Sequence, residues 1–409
     1  MSTELDSSGV RRRGFLGYLG SATAGAVVGA GAGFATARAG EEGRVSTSAP
    51  SGLGREISPW GAHQPGVAAH PSSFTELVAL DLTSELRRSA DVDALARLLR
   101  VWTGDVEAFT RGRGAPGDTA PWLVAADTDL TITVGLGPRL FTTAWGIEAP
   151  AGFGRVPAMK HDELDDAWSG GDLFVAVSGR DGTTVGHVVR RMVADATPWA
   201  RQRWRQSGSW NGYTPSGEEM TGRNVFGQVD GSANPRPGTD LFDTTVWIRD
   251  GVWAGGTSLV VRRIRMDLPV WDTLTRSEQE GSVGRDLPTG APLTGGEELD
   301  DVRLSAKDGE RYVINPLAHV RRSHPSTHGG RRIFRKGANY ETTDGRTSEA
   351  GLIFSSYQAD LLDQFVPIQQ MLDEGDELNE WTTAIGSAEF AVLPGFVEGE
   401  WLGQRVLGL

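Results

Sequence analysis

The sequence predicts an α+β protein of two units, each mixing sheet and helix. Two observations carry this reading. Short β-like runs closed by glycine alternate with stretches whose apolar residues recur at three and four. The same theme fills both halves of the 409 residues, with no visible sequence repeat. Residues 73–82 and 91–108 carry apolar side chains at helical spacing and are expected helices. Residues 129–134 alternate apolar and polar before Gly135, and 172–177 form a second apolar run ending near Gly179, so both are expected strands. Helical spacing returns at 185–199. In the second half 242–247 and 257–265 read as strands, 269–277 as a helix, 352–358 as a strand and 361–372 as a helix. The division is expected between Ser207 and Glu218, giving units 56–215 and 216–409.

Forty Lys and Arg against 53 Asp and Glu leave a formal charge of −13, which argues against a phosphate-backbone footprint and hence against nucleic acid as a partner. The absence of cysteine removes disulfides, thiolate nucleophiles, iron–sulfur clusters and Cys-ligated zinc or haem together. Any metal must be held by His, carboxylate or Tyr.

At the N-terminus, Arg11-Arg12-Arg13-Gly14-Phe15-Leu16 precedes a weakly apolar run of Gly, Ala, Val and Ser over 19–37. A hydrocarbon span needs about 20 strongly apolar residues. Small-x-small sites stand instead at Ala35-Thr36-Ala37 and Ala37-Arg38-Ala39. Residues 1–39 are therefore expected to be an export signal, followed by a flexible Gly/Ser/Glu-rich linker over 40–55. Arg12-Arg13-Gly14-Phe15-Leu16 resembles the twin-arginine motif, whose translocation machinery carries folded proteins. The protein is expected in the periplasm or outside the cell.

Common catalytic signatures are missing. Gly135-Leu-Gly-Pro138 follows a strand but lacks the third glycine and puts proline where a phosphate-cradling backbone would donate. No Gly-x-Ser-x-Gly elbow, Walker loop or His-Glu-x-x-His occurs. Three of the seven histidines cluster as His319, His324 and His328, but that spacing does not share one helix face, so it offers little support for zinc. In Phe226-Gly-Gln-Val-Asp230-Gly-Ser-Ala-Asn-Pro235, a carboxylate stands before a glycine and a Pro/Asn turn. Such an Asp is ordinarily a turn former.

This passage, with Gly227-x-x-Asp230-Gly231 at its centre, resembles the dye-decolourising peroxidase family of haem enzymes. The resemblance continues in order through nearly the whole chain after the linker. It includes Gly61-Ala-His-Gln-Pro-Gly66, Gly171-Asp-Leu-Phe174, Gly255-Gly-Thr-Ser-Leu-Val-Val-Arg-Arg263, Gly284-Arg285, Ala318-His-Val-Arg-Arg322, Arg331-Arg-Ile-Phe-Arg-Lys-Gly337 and Gly351-Leu-Ile-Phe354.

The resemblance implies two ferredoxin-like units, each an antiparallel sheet flanked by helices, with one haem b per chain held mainly by the C-terminal unit. It makes His319 the axial ligand of the haem iron, Asp230 the acid that shuttles a peroxide proton, and Arg335 the cation that stabilises the leaving charge. Arg331 and Arg332 compete for that last role. Gly231, Ser232 and Ala233 are expected beside the haem, and His324, Pro325 and Ser326 along it. Arg321 or Arg322 would pair a propionate. An acid should accept from the second nitrogen of His319, Glu380 being favoured over Asp376. Ser258 and Ala338 depart from the aromatic residues of many relatives, while Tyr340, Tyr357 and Trp381 are candidate relays to the surface. The implied activity is oxidation of phenolic or dye-like organics by hydrogen peroxide through a ferryl intermediate. The alternative is a haem-handling protein that releases iron in the manner of a deferrochelatase, with iron-uptake partners. The resemblance leaves open whether the chain forms a homo-oligomer.

Overall fold

A closed barrel of eight antiparallel strands organises the computed structural model, which describes residues 54–343 and 345–409. The expected signal and all but the end of the expected linker lie outside those residues. The barrel strands are β1 (Phe74–Leu82), β2 (Thr131–Leu136), β3 (Leu173–Gly179), β4 (Ala200–Ser209), β5 (Thr257–Met266), β6 (Phe334–Thr343), β7 (Ser348–Gln358) and β8 (Thr382–Val392). Around the barrel they run β1-β3-β2-β8-β5-β7-β6-β4. The first four strands stand in the order 4-1-3-2, and the last four repeat it as 8-5-7-6. Each half is thus a ferredoxin-like antiparallel sheet, and the duplication that the sequence hides is plain in the topology.

The halves are joined at two short seams. Leu136 and Gly135 of β2 pair with Ala391 and Val392 of β8, and Ser209 of β4 pairs with Asn339 of β6. Gln64 reinforces the first seam. Its buried amide donates to the carbonyls of Val134 (2.8 Å) and Leu393 (2.9 Å), and its Oε1 accepts from the Val134 N–H at 2.8 Å.

Side chains alternate across each strand, and nearly every strand buries both faces. Leu77, Ala79, Phe174, Leu259, Val261 and Phe390 fill the barrel. Val78, Leu80, Val134, Val175 and Val177 point the other way, against Leu95, Leu99, Trp102, Val188 and Met192 of the helices Val92–Phe109 and Gly182–Asp195. Each such aliphatic side chain contributes about 1.5–3 kcal/mol. Asp91 and Asp181 cap the two helices, accepting from Ala94 N and Thr184 N. An outer layer on the second half gathers Phe226, Trp271, Leu352 and Leu378.

Several expected elements change identity. Residues 73–82 form the strand β1 rather than a helix, because its two buried faces leave no polar alternation and the apolar spacing mimics a helix. Residues 242–246 of the expected strand 242–247 lie in the helix Asp240–Val246, and Trp247 follows it. Thr239 Oγ1 accepts from Phe242 N at 3.2 Å to start it, and Phe242 and Val246 bury one face. The helix expected at 269–277 is broken: Leu268–Trp271 stops, and Arg276–Val283 restarts behind a capping box of Thr275 and Glu278. Strands β4, β6 and β8 were not legible. Strand β4 is rich in arginine, since Arg203 and Arg205 pair with Asp81 (3.0 Å) and Glu76 (2.8 Å).

Candidate functional site

The segment carrying Asp230 is pinned before it reaches the site. Asn224 Oδ1 accepts from Phe226 N (3.0 Å) and Gln228 N (3.3 Å), closing the turn. Phe226 stacks on Trp271 at 4.2 Å, and the Arg223 guanidinium holds the carbonyls of Gly227, Leu287 and Pro288. Gly231 then turns the chain at φ 130°, a conformation that a Cβ would strain.

Arg335 comes to Asp230 from β6. Its Nε donates to Asp230 Oδ1 at 3.3 Å. Asn234 holds the arginine from both sides of its backbone, donating to Arg335 O at 2.7 Å and accepting from Arg335 N at 3.2 Å. Its Oδ1 also receives Nη1 at 3.4 Å. A second guanidinium, Arg285, is tied to the carbonyls of Gly290 (2.8 Å) and Glu298 (2.7 Å). Burial, then the charge of Arg335, lowers its proton affinity. Ser232 donates to Glu298 Oε1 at 3.2 Å.

His319 is the first residue of the short helix His319–Arg322. Its Nδ1–H donates to Asp376 Oδ2 at 2.5 Å. Asp376 is itself fixed, because its Oδ1 accepts from Leu378 N at 3.0 Å where it caps the turn Glu377–Glu380. Burial opposes a proton on the recessed ring, but the Asp376 carboxylate outweighs it by charge and hydrogen bond, so the histidine's proton affinity lies above the ordinary value. Both Arg335 and Asp230 act on it electrostatically. The acid and the arginine therefore lie within electrostatic reach of the imidazole. With Nδ1 committed, Nε2 of a ring that is 34% exposed is left to bind; Asp230 and Arg335, 20% and 27% exposed, also keep part of their surface accessible.

Other expected site residues fare differently. Asp376, not Glu380, supports His319; Glu380 is exposed on the far side of the same turn. Arg321 is not a free propionate partner, because its guanidinium donates to the carbonyls of Leu304 (2.7 Å) and Ile314 (2.8 Å) and lies over Tyr312. Arg322 is likewise held by Met371 O. Arg331 is drawn away to Asp363 at 2.8 Å, and among the described residues no contact ties Arg332 to Asp230. His324 accepts from Ser326 N and pairs with Asp301 at 3.0 Å, ahead of the turn Pro325–Thr327. Among the described residues no three His, Asp or Glu converge to hold a metal ion. Ala338 faces the barrel interior. Sequence reasoning passed over Asn234 and Arg285 as site residues, although both stood in quoted motifs.

A single available imidazole nitrogen backed by a carboxylate, with an acid–guanidinium pair within electrostatic reach, suits an iron porphyrin. Fold and site define a haem protein. Residues 64–209 match the N-terminal model of the Dyp-type peroxidases and 221–397 the C-terminal model. The chain belongs to that family and is a haem peroxidase. It is 36% identical to a dye-decolorizing peroxidase of Thermobifida fusca across 99% of both chains. It is 31% identical to a deferrochelatase of Yersinia pseudotuberculosis, over 85% of this chain and 84% of that one. Among solved structures, a DyP-type peroxidase of Cellulomonas bogoriensis is similar at 44% identity and TM-score 0.80, covering 87% of this chain and 99% of that one. DtpA of Streptomyces lividans is similar at 35% identity and TM-score 0.82, with the same coverage.

Proposed function

We propose that the recess between His319 and Asp230 is where this peroxidase consumes hydrogen peroxide, and that phenolic or dye-like organics are the reductants. Haem, when bound, supplies the iron that takes the peroxide and holds its oxidising equivalents. His319 Nε2 would hold that iron, while Asp376 fixes the tautomer and makes the imidazole a stronger donor. The Asp230 carboxylate would accept a proton from the inner peroxide oxygen and return it to the outer one. The Arg335 guanidinium stabilises the negative charge that grows on the departing hydroxide. Asn234 keeps Arg335 in place.

The observation that carries this reading is the Arg335–Asp230 contact at 3.3 Å, within electrostatic reach of His319. Rapid mixing of the haem-loaded protein with peroxide tests it. Arg335→Leu should slow the reaction by about 10²–10³-fold, the range for deleting one charge-stabilising donor, and Asp230→Asn should slow it too. Arg331→Leu should leave the rate unchanged. A parental rate in the Arg335 variant with haem fully retained would remove the assignment.

The similarity to deferrochelatases supports a second reading, release of iron from haem by the same site. Anaerobic incubation with haem separates the two: iron-free porphyrin supports release, and intact haem with peroxide-dependent phenol oxidation supports the peroxidase alone. Export by the twin-arginine route is supported by Arg12-Arg13-Gly14-Phe15-Leu16.

A further inference from the structure

Away from the haem recess, the Gly61-Ala-His-Gln-Pro-Gly66 motif helps to line a cleft of about 610 Å³, within the range of small-molecule sites (about 300–1,000 Å³). None of the residues assigned to the haem recess lines it. Its aromatic wall is the pair His63 and Trp247, stacked at 3.8 Å and 11°. The backbone comes close behind that wall. Gly255, at φ 91°, would place a Cβ 2.4 Å from Ala62 O, so only glycine lets the two segments meet there.

The chemistry of the wall is specific. A carbonyl only accepts, so the contact of His63 Nδ1 with Gly255 O at 2.8 Å puts the proton of the neutral ring on Nδ1. Nε2 then carries a lone pair, and among the described residues no protein donor takes it. A ring hydroxyl is the group that would complete it. Arg249, also in the lining, is exposed and makes no hydrogen bond or ion pair among the described residues. It is a fork for a carboxylate. Arg405 is partly engaged, with Nη2 on Ala254 O at 3.0 Å. Asp243 and Glu400 balance the two arginines, so the lining suits a ligand with one anionic group rather than a polyanion.

We propose that this cleft binds a planar aromatic acid bearing a ring hydroxyl. The ring extends the His63–Trp247 stack, the hydroxyl donates to His63 Nε2, and the carboxylate meets Arg249. A run of edge-to-face rings, Trp247 on Phe242 (5.8 Å) and Phe242 on Phe334 (5.0 Å), leads from the cleft to the residue before Arg335. Use of the site to dock a reductant rests on the peroxidase reading; binding does not, and the test measures binding.

Calorimetric titration of the intact haem-loaded protein with 4-hydroxycinnamate, and with its 4-methoxy ether, tests the proposal. In the parent the ether should bind about tenfold more weakly, the effect of losing one good hydrogen bond. In His63→Phe, which keeps a ring in the stack, acid and ether should bind alike and at the weaker level. Arg249→Glu, at an exposed position, should weaken the acid about tenfold, and Val397→Trp, placed at the 52% exposed rim, should abolish binding. The haem absorbance should stay unchanged on titration in every case. Equal affinity in the parent and all three variants, no binding by the parent at millimolar ligand, or binding that shifts the haem spectrum would overturn it.

Discussion

Asp376 shows how much of the site rests on one side chain. Its two oxygens do separate work: Oδ1 caps a turn, and Oδ2 takes the His319 Nδ1 proton. An amide in its place can still cap but no longer draws that proton by charge. Asp376→Asn should therefore weaken haem retention or the peroxide reaction by about 10–100-fold, the usual cost of losing the partner of a ligating histidine. Glu380→Gln should change neither. Haem affinity by spectral titration and the peroxide rate by rapid mixing check both variants, and an effect of Glu380 equal to that of Asp376 would reverse the assignment.

Among the elements, the helical layer on the first half carries a charge problem that makes its stability depend on pH. Asp105, in the helix Val92–Phe109, is 2% exposed, and its Oδ2 finds no partner. Burial first, then the charge of Asp195, pushes its carboxyl up from 3.8 to about 7, although Arg191 pulls the other way. The protonated form is thus favoured in the folded state. Because the folded value lies above the unfolded one, this stabilisation is fully present below about pH 4 and is lost as pH rises through 7. The loss is on the order of 3 kcal/mol. Denaturant unfolding at pH 5 and pH 8 should show the parent losing stability toward pH 8, apart from other titrating groups, and Asp105→Asn losing less by that amount. Identical pH slopes would show that Asp105 is not the group responsible.

For the molecule as a whole, the two sheets cannot be parted without opening two seams. Strand β8 from the end of the chain closes against β2, and β6 against β4, so each half supplies edges that the other covers. The segment 216–409 produced alone should therefore aggregate or stay unfolded, as read by circular dichroism and size-exclusion chromatography; a monomeric folded fragment would contradict this. Gln64→Ala removes three hydrogen bonds at the weaker-paired stretch of β2 and leaves backbone groups unpaired. The expected cost is on the order of 3 kcal/mol, seen as a lowered Tm. The proposed export would also be a property of the whole chain, since the twin-arginine route takes folded cargo. Replacing Arg12 and Arg13 by lysine should leave folded haem protein inside the cell, and normal secretion of that variant would remove the twin-arginine reading.

By itself the sequence determined what is written in contiguous residues. The Gly227-x-x-Asp230-Gly231 segment, His319 behind Ala318 and Arg335 in its basic run were each legible as motifs, and the fold brings Asp230 and Arg335 into contact and both within electrostatic reach of His319. The α+β class and the helix at 91–108 were legible too, because one apolar stripe against solvent leaves a period in the sequence. Tertiary structure alone decided the rest. Strand β1 buries both faces and so lacks the alternation that marks a strand, leaving only a spacing that mimics a helix. The choice of Asp376 over Glu380 turns on how a short turn presents two nearby acids to a histidine more than fifty residues earlier, and the withdrawal of Arg321 turns on carbonyls it meets only after folding. Barrel closure depends on strands far apart in the chain, and no local pattern records which edges remain to be paired.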